Sequence, residues 1–274
     1  MQPFRFAIVV FALACAACSQ EKVEFQAPQR ATAAPAAAAQ EAIVLRVGAA
    51  ASLRESAEEI GARFGVVDAA TRVELTFGAS SELAAQLRAG APLDVLLSAD
   101  EEIPRALEAE GLATDLRPFA GNRLVVVASA TVADRVKQPA DLAGDAVRHL
   151  AMPAPAVPIG HYAREWLTRV GLLQAVEARI VQTENVRATL AAVDAGNADA
   201  AIVYATDARV ARSARVAFEL PDAEQPRILY VALRASATKQ PDAAQRFLGF
   251  LTSAESASVL QQAGFTSPGA APAP

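Results

Sequence analysis

From Ile43 onward the chain alternates strand-like and helix-like segments joined by short turns, and that alternation leaves few architectures open. IVLRVGAA is an apolar, strand-like run, and LRESAEEIGARFG after it places Leu53, Ala57, Ile60 and Phe64 on one helical face. Ser52 with Glu55 three residues later has the form of a capping box, which predicts a helix starting at Ser52. The same grammar continues with RVELTFGA and SSELAAQLRAG, then with LDVLLSAD and EEIPRALEAEG, whose final glycine is a helix stop. NRLVVVAS reads as a further strand. VRHLAMP, HYAREWLTRVG, ARIVQ, ENVRATLAAVDAG, DAAIVYA and TDARVARS follow as strands and helices by turns. The tail adds RILYVALRA as a strand and PDAAQRFLGFLTS and ESASVLQQAG as helices. Such alternation predicts an α/β fold with parallel sheets covered by helices on both faces. No internal repeat of fixed period is present.

The segment before this body is of a different kind. MQPFRFAIVVFALACAACSQ has Arg5, an apolar run from Phe6 to Ala14 and then small residues, the layout of a secretory signal over residues 1–18. It is too short for a permanent membrane span. Both cysteines of the chain, Cys15 and Cys18, fall here, so the body holds neither a disulfide nor a cysteine metal site. Cys18-Ser19-Gln20 resembles a bacterial lipoprotein processing site, although Cys15 stands where leucine is usual. Two outcomes stay open, acylation of Cys18 or plain cleavage. Residues 19–40, rich in Ala, Pro and Gln, form a linker suited to tethering an acylated chain, which favours the first. The 274 residues carry a formal net charge of -5, which argues against nucleic acid or an anionic membrane surface as the main partner.

In open α/β sheets ligands bind at the carboxyl ends of strands, against the first turns of the following helices. Those turns carry unpaired N–H groups and the positive ends of helix dipoles. Here they are filled by small and hydroxylic residues, Ala50-Ala51-Ser52, Gly78-Ala79-Ser80-Ser81 and Ile159-Gly160, without lysine or arginine. One serine after a strand is ordinarily a helix cap. Several such turns converging could hold an ionised oxyanion with no counter-charge.

Six stretches occur in order: AAASL (49–53), FGASSELAAQLRAGAPLDVLLSAD (77–100), GNRLVVVA (121–128), VPIGHYAREWL (157–167), ENVRATLAAV (184–193) and AIVYATDA (201–208). Together they resemble the periplasmic molybdate-binding proteins of ABC transporters, a type II periplasmic binding protein family, from about Leu45 to Phe265. The resemblance implies a two-lobed α/β fold with two hinge crossovers, near LVVVA and near ILYVAL, and a ligand cleft between the lobes. It puts residues 41–123 plus 228–274 in lobe 1 and 124–227 in lobe 2. It implies that Ser52 and Ser80 offer hydroxyl and backbone N–H to the oxyanion, that Ile159 and Val186 offer backbone N–H only, and that Tyr204 donates its phenolic O–H. The position of Ile159 is often alanine in the family, which bears on the choice between molybdate and tungstate. No carboxylate falls at these positions, so tetrahedral binding of the oxyanion is expected, with no direct protein ligand to the metal.

The function implied is an extracytoplasmic, periplasmic, non-catalytic receptor that needs no cofactor. It is expected to be a monomer that binds molybdate or tungstate and serves the permease and ATPase subunits of an importer. The alternatives are a receptor of the same fold for sulfate or phosphate and an exported serine hydrolase using Ser80. A triad of Ser80 with Asp94 and His161 is a poor reading, because GASSE is not a G-x-S-x-G elbow and no oxyanion-hole motif accompanies it. His149 and His161 read as surface or helix-end residues, Asp94 and Asp100 as turn caps, and Trp166 as part of a helix core face. Arg187 reads as a solvated helix position beside a proposed ligand.

Overall fold

A computed structural model describes residues 42–269; the expected signal, linker and Cys18 lie outside the described residues. The chain begins with β1 (Ile43–Ala50), a 3-10 turn at Ala51–Leu53, α1 (Arg54–Val67), β2 (Thr71–Gly78), α2 (Ser80–Arg88), β3 (Val95–Ser98), α3 (Glu102–Ala109) and β4 (Ala113–Asn122). It continues through β5 (Leu124–Ala128), β6 (Leu150–Pro153), α4 (Pro158–Arg169), α5 (Leu173–Val176), β7 (Ile180–Thr183), α6 (Val186–Asp194), β8 (Ala200–Tyr204), α7 (Ala205–Ala208) and β9 (Arg215–Glu219). β10 (Ile228–Ala235), α8 (Pro241–Leu251) and α9 (Ala254–Ala263) complete it. Among the described residues no helix is long and apolar enough to cross a membrane.

Two five-stranded sheets result, ordered β2-β1-β3-β10-β4 and β7-β6-β8-β5-β9, and each is the centre of one lobe. The sheets are not purely parallel, as the alternation predicted. β1 runs parallel to β2 and β3, and β6 to β7 and β8, but β10 is antiparallel to β3 and β4, and β5 to β8 and β9. The reversed strands are those delivered from the other lobe. A strand reached through a helical crossover runs with its neighbour, whereas one that arrives from outside the sheet is free of that constraint.

The amphipathic faces pack as their spacing requires. Leu53, Ala57, Ile60 and Phe64 are all buried, and Phe64 meets Phe247 of α8 edge to face with ring centroids 5.3 Å apart. One apolar core runs through both lobes, from Leu45 and Val47 to Trp166, Val203 and Phe265. A second, built from Leu83, Leu87, Leu96, Leu107 and Leu233, fills the space between α2, α3 and the first sheet. Each crossover strand thus has apolar cover, and the apolar core is continuous across the hinge.

Two passages join the lobes. At the first, Arg123 alone separates β4 from β5; at the second, residues 220–227 lead from β9 to β10. Gln225 ties them together, its Oε1 accepting from Leu124 N at 2.8 Å and its Nε2 donating to Leu124 O at 3.0 Å. Both bonds are buried, and leaving either group unpaired would cost about 1–3 kcal/mol.

The capping box expected at Ser52 does not form. Ser52 lies in the 3-10 turn, α1 starts at Arg54, and Leu53 occupies its N-cap position without a side-chain cap. The Ser52 hydroxyl is 2.9 Å from the Tyr230 hydroxyl instead, and Glu55 is drawn to Arg187. Both partners come from far along the chain, which local spacing cannot register. Nor is TDARVARS a full helix, since α7 stops at Ala208.

Candidate functional site

Ser52, Ser80, Ile159, Val186 and Tyr204 line one cavity between the lobes, and each is only 1–4 % exposed. It is small, about 20 Å³ measured at the centres of water-sized spheres, room for one compact ion or a water or two. Apart from Asn185 the remaining lining is small or apolar, with Gly78, Ala79, Ala99 and Pro158 among it, and among the described residues no ionised side chain takes part.

Lobe 1 supplies the two serines. Ser52 follows β1, whose end is fixed by pairing with β2 and β3 on either side. Ser80 opens α2 directly after β2, and its Oγ accepts a hydrogen bond from Ala99 N at 3.0 Å. With that lone pair engaged, the Ser80 proton remains to be given away. Glu82 accepts from the Ala79 N–H at 3.2 Å, which leaves the serine itself uninvolved in capping.

Lobe 2 supplies the other three. Ile159 is the second residue of α4, behind Pro158, and its N–H belongs to the first turn, which has no intrahelical acceptor. Gly160 beside it is required by a close approach: a Cβ there would lie 2.2 Å from Ala154 O and 2.7 Å from Pro153 O. Val186 is the first residue of α6. Asn185 caps that helix by accepting from Arg187 N at 3.0 Å and Ala188 N at 3.1 Å, which leaves the Val186 N–H outside the cap.

Tyr204 ends β8, and its hydroxyl is buried without a hydrogen-bond partner among the described residues. Burial pushes its pKa well above the ordinary tyrosine value, so it is a proton donor at any physiological pH. Its ring packs on Tyr230 at 5.9 Å between centroids. A phenol held this way has paid its desolvation before any ligand arrives.

Arg187 is not the solvated side chain expected of it. Its guanidinium crosses from α6 to α1, donating to Glu55 at 2.6 and 3.0 Å, and its Nε lies 2.6 Å from Oδ1 of the buried Asp207. That second contact is close without being aligned as a hydrogen bond. Burial drives the Asp207 carboxyl upward, against the pull of the Arg187 charge. An arginine directly after a proposed donor was a signal in the sequence, but its two acidic partners were not.

The remaining candidates are dispersed. His149 and His161 are exposed, and Trp166 is fully buried, donating its indole N–H to Glu224 at 3.0 Å. Asp100 caps α3 by accepting from Ile103 N at 3.1 Å; burial raises its pKa to about 6, opposed by that bond and by Ser98. Asp94 accepts from Arg46 N and from Thr238, far from a serine nucleophile's needs. Two residues that sequence reasoning did not single out stand behind the cavity, Asn122 and Tyr230. Both are polar groups inside otherwise apolar strand ends, and that is the only sign of them in the sequence.

The molybdate-binding protein ModA of Mycobacterium tuberculosis is 32% identical to this chain over 236 residues, 85% of this chain and 88% of that protein. The solved Azotobacter vinelandii periplasmic molybdate-binding protein superposes with a TM-score of 0.72 at 25% identity, covering 82% of this chain and 99% of that one. The sulfate-binding protein SubI of Mycobacterium tuberculosis shares the fold, with a TM-score of 0.73 at 16% identity over 82% of this chain and 87% of its own. A model of the bacterial extracellular solute-binding proteins matches residues 45–266. The two hinged lobes, the cavity between them and these matches lead to one conclusion: the chain belongs to the bacterial extracellular solute-binding protein family.

Proposed function

We infer that this protein captures molybdate, and tungstate with it, outside the cytoplasmic membrane and delivers the oxyanion to the permease of an ABC importer. The observation that carries the reading is the cavity itself, in which hydroxyls of Ser52, Ser80 and Tyr204 and helix N-termini at Ile159 and Val186 face one small volume with no ionised group. The names of the relatives at about 30% identity support molybdate as the ligand.

The chemistry is ion capture. Each hydrogen bond to a fully ionised oxyanion contributes about 1.5–3 kcal/mol. Five to seven of them total about 7.5–21 kcal/mol before ordering and desolvation costs, against the roughly 8 kcal/mol of micromolar affinity. The donors are divided between lobes, so only the closed form offers the full set, and ligand therefore favours closure. A permease that docks the closed form reads occupancy from shape. The receptor works as a monomer, without cofactor and without turnover, and Ser80, whose oxygen accepts from a backbone N–H, acts as a donor and not as a nucleophile. In the cell it is periplasmic and held to the membrane through an acylated Cys18.

Calorimetry with molybdate, tungstate, sulfate and phosphate tests the reading, with thermal unfolding alongside. Ligand at a hundred times its dissociation constant stabilises by about 2.7 kcal/mol, so molybdate and tungstate should raise the melting temperature while equal sulfate does not. A sulfate or phosphate response as large as that to molybdate would reassign the ligand. Hydrolysis of a broad ester and phosphatase panel would replace the receptor by an enzyme.

A further inference from the structure

Behind Ser52, away from the cavity, a short buried chain of polar groups leads to the hinge. Ser52 Oγ lies 2.9 Å from the Tyr230 hydroxyl, and Tyr230 is 3.3 Å from Nδ2 of Asn122. Asn122 also reaches Thr206 Oγ1 at 2.9 Å, so it touches β10 of lobe 1 and α7 of lobe 2 at the joint between them. All four side chains are buried, and Tyr230 is not among the residues lining the cavity.

The directions of the hydrogen bonds around Asn122 follow from one fixed donor. The backbone N–H of Arg123 can only donate, and it does so to Asn122 Oδ1 at 2.9 Å, which fixes the amide orientation and turns Nδ2 toward Tyr230 and Thr206. Nδ2 can only donate, so the Tyr230 oxygen is an acceptor there; Ser52 is the one acceptor within reach of its proton among the described residues, and we assign the Tyr230–Ser52 bond in that direction. Ser52 Oγ then accepts from behind, and its own proton is left for the cavity. Burial raises the Tyr230 pKa above its ordinary value, which keeps that proton in place. The ring cannot swing away, since it is packed edge-on against Phe265 at 5.3 Å, Tyr204 at 5.9 Å and Phe119 at 6.1 Å.

We propose that Tyr230, oriented by Asn122, is a positioning and specificity-determining residue that holds the Ser52 hydroxyl as a donor toward the bound oxyanion. The inference rests on the oxyanion reading of the cavity and deepens it. Ser80 is polarised in the same sense by the Ala99 N–H, and Tyr204 has no competing acceptor, so all three hydroxyls present protons. Such a cavity suits a dianion bearing no proton. A protonated oxyanion such as hydrogen phosphate brings a donor for which the lining turns no free acceptor inward, since Oδ1 of Asn185 is engaged by the N–H groups of Arg187 and Ala188, and a mismatched buried donor is costly. Freed from Tyr230, the serine can rotate and accept, and that exclusion weakens.

The test combines Tyr230→Phe with Ser52→Ala and reads binding of molybdate and of inorganic phosphate at pH 7.5 by calorimetry, with unliganded melting as the folding control. Phenylalanine keeps the aromatic packing, so the variant should fold. Molybdate affinity should fall roughly tenfold in Tyr230→Phe. Ser52→Ala should cost less in the Tyr230→Phe background than in the wild-type protein, because the two residues act through one bond. The ratio of molybdate to phosphate affinity should also fall. A packing role alone would weaken both anions equally and leave the Ser52→Ala penalty unchanged; that result, or wild-type affinity in Tyr230→Phe, overturns the proposal while the oxyanion reading stands. A wild-type protein that binds neither anion nor tungstate overturns both.

Discussion

Tyr204→Phe separates a ligand donor from a structural hydroxyl, because the two roles predict opposite signs. The Tyr204 oxygen is fully buried and has no partner among the described residues, so in the unliganded closed form it contributes no hydrogen bond that phenylalanine would remove. Burying an unpaired hydroxyl costs about 1–3 kcal/mol, and its removal should leave the unliganded protein unchanged or more stable. For a body of this size, about 1 kcal/mol moves the melting temperature by roughly 2–4 °C. With molybdate bound, the same substitution deletes one hydrogen bond to an ion, about 1.5–3 kcal/mol, or roughly 10- to 150-fold in affinity. Calorimetry gives the affinity, and thermal unfolding without and with saturating molybdate gives the two stabilities. Wild-type affinity in Tyr204→Phe would refute the reasoning, and so would an unliganded melting temperature lowered as much as the liganded one. Ser80→Ala is a less clean probe, since its oxygen also satisfies the Ala99 N–H and alanine would orphan that group.

Other expectations follow from neighbouring geometry. Gly160→Ala should destabilise by about 1–3 kcal/mol in denaturant titrations and weaken molybdate binding, because the new Cβ meets two backbone oxygens that cannot move independently of β6; unchanged stability and affinity would contradict this. Asp100, with its pKa raised from 3.8 to about 6 by burial, holds its proton in the fold at pH values where the unfolded chain has lost it. Stability should therefore decline as pH rises from about 4 to 6, and Asp100→Asn, which keeps an acceptor for Ile103 N–H, should flatten that decline; an identical pH profile in the variant would rule it out. Cys18→Ala should release the protein from the membrane fraction or block its processing, and unaltered fractionation would exclude the tether.

What could be read from the sequence was whatever local spacing encodes. The faces of α1, α4 and α6 follow from apolar periodicity, and the strand ends that carry Ser52, Ser80 and Tyr204 follow from where those runs stop. The strands β4 and β9 did not announce themselves. ATDLRPFAGN contains a proline and, at Asp115, a residue with φ of 56°, while RVAFE is half exposed at a sheet edge, so neither is the apolar run a buried strand requires. The reversed direction of β5 and β10 was hidden for another reason, since orientation depends on which lobe a strand arrives from. Ser52 was misread as a cap because its true partner, Tyr230, is 178 residues away. Arg187 was assigned to solvent for the same reason, its partners Glu55 and Asp207 being remote from it in the chain.

The position of β10 between β3 and β4 sets the order in which the two lobes can be finished. The second sheet uses one uninterrupted stretch of chain, so all its strands are present once β9 has emerged. In the first sheet β10 is the one strand that pairs with β4, besides a single later bridge from Gly121 to Thr266, and the sheet stays incomplete until residues 228–235 arrive. The half of the molecule synthesised first is thus the half that matures last. An N-terminal lobe that waits for its closing strand leaves β3 with an open edge and β4 unattached to the sheet through most of translation, a state exposed to edge-to-edge association. Pulse-labelled hydrogen exchange during refolding should accordingly show amides of β5, β6 and β8 protected before those of β4.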